Sequence, residues 1–145
     1  LEAANAAPAC MGQYDHLHLT VVQKPEILAQ INAAFQKAVG DPNMQVTYGA
    51  PTVIYVSCKN EDEEIVKGCN AGVVMENMLL EAADLGLGAV YLFGVSQVLF
   101  ANEEITKLLQ IPEGFRTVSA IAVGISADAF QERTLGTDKI STTTL

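Results

Sequence analysis

Hydrophobic and polar positions in this chain follow two different periods. From Leu17 to Val22 (LHLTVV) the apolar residues are short and partly β-branched, and His16 and His18 alternate with Leu17 and Leu19, which predicts a strand. After Pro25 the period changes. Ile27, Leu28, Ile31, Ala34, Phe35 and Ala38 recur at helical spacing, with Pro25 suited to the first turn and Gly40 to the stop. Pro51 to Cys58 (PTVIYVSC) is a compact β-branched run of the kind a central strand carries. Lys59 to Glu64 reads as an acidic connection.

The stretch from Cys69 to Leu87 is too long for a strand and apolar around most of its circumference, so a helix buried in the core or against another subunit is expected. Its polar exceptions, Asn70, Asn77, Glu81 and Asp84, step by seven, four and three and share a narrow stripe, which reads as a wet edge. Gly86 and Gly88 end this helix. Ala89 to Phe93 is expected to be a buried strand closed by Gly94, Asn102 to Leu109 a short helix capped by Asn102, and Thr117 to Val123 a fourth strand. At the front, Leu1 to Ala7 is helix-forming up to Pro8, and Ala9 to Asp15 reads as a loop around Gly12. The tally, four strands with intervening helices, predicts one layered α/β or α+β domain over 1–145, with 126–145 as an extended polar tail.

Composition narrows the function classes. Half of the 145 residues are hydrophobic and 17% charged, so a sizeable core forms. A net charge of -9 opposes binding to nucleic acid or to anionic membranes. Cys10, Cys58 and Cys69 form no CxxC and an odd count, so neither a disulfide framework nor a metal site is signalled, and a reducing cytoplasm is expected. Cys58 and Cys69 read as core thiols. No apolar run reaches the roughly 18 residues of a membrane span, and no secretory leader is expected. Neither GxGxxG nor GxxxxGK[ST] occurs, which weakens a nucleotide-binding module.

Three pieces occur in order: APACMGQYDHLHLTVV (7–22), NMLLEAADLGLGAVYLFG (77–94) and LLQIPEGFRTVSAIAVG (108–124). Together they resemble the flavin-dependent nitroreductase family, and more closely its branch with a first loop of the form AP-x-x-MG-x-YD. The resemblance implies a homodimer, FMN at each subunit interface, and NADH or NADPH as reductant for an electron-poor acceptor such as a nitroaromatic or quinone. It carries cofactor contacts onto Pro8, Ala9, Cys10, Met11 and Gly12 of the first loop, onto Asn77, and onto Tyr91, Leu92, Phe93 and Gly94, with a backbone N–H near Phe93 and Gly94 facing flavin N5. Arg133, in QERTLG, matches a tail arginine that grips the phosphate.

No side chain is expected to act as catalytic acid or base, because the hydride chemistry belongs to the cofactor. Many relatives have Ser at Ala9, Asn near Gly12 and Glu at Phe93, so main-chain groups must serve here. The family's Arg-x-x-Arg segment lies upstream of the first loop, and by this resemblance the chain lacks those opening helices. The same fold without its flavin, a non-catalytic dimeric binding or scaffold protein, is the alternative. The resemblance also implies an α+β fold with a central mixed sheet flanked by helices, places the apolar helix at the dimer core and exchanges the tail between partners.

Overall fold

A computed structural model describes residues 1–99 and 102–145. Four strands, β1 (Leu17–Val22), β2 (Thr52–Lys59), β3 (Gly88–Tyr91) and β4 (Phe115–Gly124), form one sheet in the order β1-β2-β4-β3. Every pairing is antiparallel, where a mixed sheet was expected; the intervening helices return the chain so that each neighbour runs the opposite way. The α+β class stands.

Side-chain alternation on the two central strands assigns the layers. Val53 and Tyr55 of β2, with Ala120 and Ala122 of β4, pack on one face against α2 (Pro25–Val39). The same cluster includes residues of α4 (Phe93–Leu99) and α5 (Glu103–Leu108). Val56 and Ile121 face the opposite side and meet Ala71, Val74, Met75 and Met78 of α3 (Glu64–Asp84). A period of two therefore builds a helix–sheet–helix sandwich from one set of strands. A register shift between Val56 and Ser57 re-aims the end of β2.

The periodic helix over Pro25–Val39 is present, and Gly40 stops it at φ 73°. Asn102 caps α5, its Oδ1 accepting from the amides of Glu104 and Ile105. Other boundaries differ from expectation. α3 opens at Glu64, inside what read as the acidic connection, because Glu64 finds partners in Lys67 and Arg116. β3 stops at Tyr91, and Phe93 opens α4, a helix that the sequence reading lacks. Leu92 is the hinge: its N–H bonds to Ala120 O at 2.7 Å and its side chain is buried. Cys69 is exposed rather than a core thiol, since α3 buries the face of Asn70, Ala71, Val74 and Met75 instead. Cys58 is buried, and burial with the nearby Asp62 charge pushes its thiol pKa up to about 11.

At the front, α1 (Glu2–Asn5) packs on α3. The stripe on α3 is not a wet edge along its whole length. Glu81 and Asp84 are exposed, but Asn70 is buried and Asn77 half-buried, because the N-terminal segment covers them. Residues 126–145 are exposed and lie outside every helix and strand. No helix among the described residues is long and apolar enough to cross a membrane.

Candidate functional site

The first loop is a compact, anchored turn. Cys10–Gly12 forms one 3-10 turn and Tyr14–His16 a second. Met11 at φ 53° and Gly12 at φ 69° are consecutive left-handed residues, which reverse the chain and leave Met11 88% exposed. Several bonds hold this shape. Asn70 Oδ1, on the buried face of α3, accepts from the Cys10 amide at 2.8 Å. Tyr14 Oη donates to Ala7 O at 3.1 Å, and Gly12 N bonds back to Ala9 O at 3.0 Å. A Cβ on Gly12 would meet nothing within 4 Å, so glycine is needed there for its backbone angle and not for close packing.

The residues after the loop are tied to the β2–α3 connection. His16 Nδ1 lies 2.7 Å from Asp62 Oδ1, and Lys59 Nζ donates to Asp15 Oδ2 at 3.0 Å. The Lys59 hydrogen bond holds the Asp15 carboxyl below its usual range.

Tyr91 to Gly94 makes a second feature, the corner between β3 and α4. It lines a cleft of about 210 Å³ with Phe35 of α2 and with Met44, Val46 and Tyr48 of the following loop. Tyr91, Phe93 and Tyr48 are all exposed, Phe93 to 56%. A Cβ on Gly94 would also stand in open space. The amides of Phe93 and Gly94 belong to the first turn of α4, where no carbonyl one turn earlier is available to them. The corner thus sets exposed aromatic residues beside the first-turn amides of a helix, a combination suited to a planar heteroaromatic ring.

The expected site residues do not all converge. Pro8 to Gly12 sit on α3 through Asn70, whereas Tyr91 to Gly94 sit against α2 and the 44–48 loop. Asn77 is engaged elsewhere: its amide donates to Ala3 O at 3.0 Å and fastens α1 to α3. Arg133 lies in the exposed tail and makes no ion pair with the other described residues. Sequence reasoning missed Asn70 as an anchor. The available signal was its place, seven residues from Asn77, on an otherwise apolar helix, where a buried amide requires a partner.

Phe93 also borders a second cleft, of about 250 Å³, lined by Glu64, Lys67 and Gly68 of α3, Gln97 of α4 and Arg116 to Val118 of β4. Lys67 is buried, and its Nζ donates to Glu64 Oε1 at 3.0 Å and to Asn60 O at 2.9 Å. Arg116 Nη2 donates to the other oxygen of the same carboxylate, Glu64 Oε2. The hydrogen bond from Lys67, then that from Arg116, holds the Glu64 carboxyl below its usual value.

Fold and site together define an α+β protein with an antiparallel sheet between helical layers and an open aromatic corner suited to a flat ring. Comparison with known proteins makes this specific. The sequence model of the Nitroreductase family matches residues 1–125, and the chain belongs to the nitroreductase family. A curated relative from Methanothermobacter thermautotrophicus, named "Putative NADH dehydrogenase/NAD(P)H nitroreductase", is 32% identical over 132 residues, 88% of this chain. The chain spans 64% of that relative's length.

Solved structures share the fold. The nitroreductase from Bacteroides fragilis, crystallised with bound FMN, superposes with a TM-score of 0.80 at 23% identity, over 99% of this chain and 83% of that one. The nitroreductase from Desulfitobacterium hafniense, also with bound FMN, gives 0.82 at 21% identity, over 98% and 82%.

Proposed function

We propose that this chain forms an FMN-dependent oxidoreductase that takes hydride from NADH or NADPH and delivers it to an electron-poor acceptor such as a nitroaromatic or quinone. The observation that carries this reading is the Tyr91–Gly94 corner. Its exposed aromatic residues, its first-turn amides and the open space at Gly94 support a flavin ring there. FMN bound there supplies both the hydride-accepting and the hydride-donating chemistry in one ring.

The chain's own contribution is positional. Tyr91 and Phe93 pack against the ring and exclude water from one side. The Phe93 and Gly94 amides donate to its edge, since a Phe side chain offers neither donor nor acceptor. Leu92, pinned to Ala120, and Ser96, whose Oγ donates to Leu92 O at 3.3 Å, keep the corner rigid. Pro8 to Gly12 supply main-chain groups to the cofactor, and Arg133 supplies a guanidinium for its phosphate.

The first loop and the corner rest on different parts of one chain. A homodimer that sets the loop of one copy beside the corner of the other brings both to one ligand. The exposed apolar residues Ile65 and Leu80 of α3, and Leu85 just after it, support such an interface, with the tail exchanged between partners. A dimer of this kind operating in the cytoplasm completes the reading.

An absorbance titration tests it. Added FMN should show perturbed flavin bands in the protein fraction and raise the melting temperature, because a ligand held only by the folded state stabilises it. A protein that stays colourless and melts unchanged at saturating FMN is the non-catalytic alternative.

A further inference from the structure

The cleft at Glu64, Lys67 and Arg116 has an unusual charge arrangement for a chain of net charge -9. Two cations from two different elements converge on the carboxylate of Glu64, one on each oxygen. Lys67 is inside the protein, its side chain only 4% exposed, whereas Glu64 is 74% exposed. A buried ammonium requires an anion or acceptor beside it, and an exposed glutamate at the first position of a helix can swing away without disturbing any packing. The clamp is thus permanent and its anion replaceable.

We propose that this cleft is a subsite for the carboxylate of an aromatic acid, and that Glu64 occupies it as an internal stand-in. Displacement is a one-for-one exchange of carboxylates, so Lys67 and Arg116 keep a counter-anion throughout. The planar guanidinium suits a carboxylate in fork geometry, and Lys67 supplies the second charge-assisted bond. Phe93 and Val118 provide apolar walls for a ring attached to that carboxylate. At about 250 Å³ the space fits a single-ring ligand. Phe93 also belongs to the corner cleft, so the two clefts adjoin at this side chain. The subsite would then select acceptors that carry a carboxylate; that role rests on the placement of the flavin at Phe93, while the binding itself does not.

Calorimetric titration of benzoate and of its uncharged analogue benzamide into the purified chain tests the clamp, with FMN binding measured separately by absorbance. Benzoate should bind and benzamide should not. Glu64→Gln, which removes the competing charge, should tighten benzoate about tenfold, and Arg116→Gln should weaken it by a similar factor. Glu64→Ala serves as a second displacement variant, and circular dichroism confirms that each variant is folded. Equal binding of benzamide, or benzoate affinity indifferent to both Glu64 and Arg116, overturns the proposal. Benzoate binding that follows this pattern in a protein that takes up no FMN keeps the subsite and rejects the flavin reading alone.

Discussion

Replacement of Asn70 by Leu removes one hydrogen-bond acceptor from a buried position while keeping nearly the same bulk. Asn70 is 3% exposed, and its Oδ1 holds the Cys10 amide at 2.8 Å. A single bond of this kind contributes about 0.5–1.5 kcal/mol net, so the global stability loss should stay within that range. The loop is affected more than the fold. Met11 occupies a left-handed conformation at φ 53°, which costs an L-residue about 1–2 kcal/mol. The Asn70 bond and the Met11 strain are therefore similar in size, and without the bond the 10–12 turn keeps only its local bonds and the Tyr14 tie against that strain.

If that turn presents main-chain groups to FMN, the affinity should fall about tenfold, equivalent to 1.4 kcal/mol. Asn77→Leu is the matched control. Asn77 lies on the same helical stripe and also makes one bond to the N-terminal segment, donating to Ala3 O at 3.0 Å. It should lose comparable stability with much less effect on FMN. Fluorescence quenching of FMN and urea unfolding of both variants provide the comparison. Equal FMN losses in the two variants, or wild-type affinity in Asn70→Leu despite lost stability, would refute the assignment of the loop.

Two further outcomes follow from the packing and the charges. Met75→Ala empties a fully buried site between α3 and the sheet and should cost about 2–5 kcal/mol, visible as a lower urea midpoint at unchanged slope. Glu64's carboxyl is held below its usual 4.5, so its pairs with Lys67 and Arg116 stabilise the fold above that pH and lose this effect as the pH falls through the lowered value. Glu64→Gln should accordingly be less stable than wild type at neutral pH, with the difference vanishing in strong acid; an unchanged difference there contradicts the pairing.

The sequence alone determined the elements whose partners are local or generic. The 3.6 period over Ile27–Ala38 with Gly40 behind it, the β-branched run before Cys58 and the Asn102 cap each rest on interactions within a few residues, and all three are present. The three ordered motifs likewise pointed to the family. Tertiary structure decided what depends on contacts distant in sequence. Asn70 reads as an exposed stripe until the segment before Gly12, sixty residues away, closes over it. Glu64 reads as connection until Arg116 of β4 arrives to pair with it. Phe93 reads as strand until Leu92 bonds to Ala120 and turns the chain into α4. Periodicity records which face of an element meets the core, but it carries no information about which remote group satisfies a polar atom, and the anchors of this site are satisfied remotely.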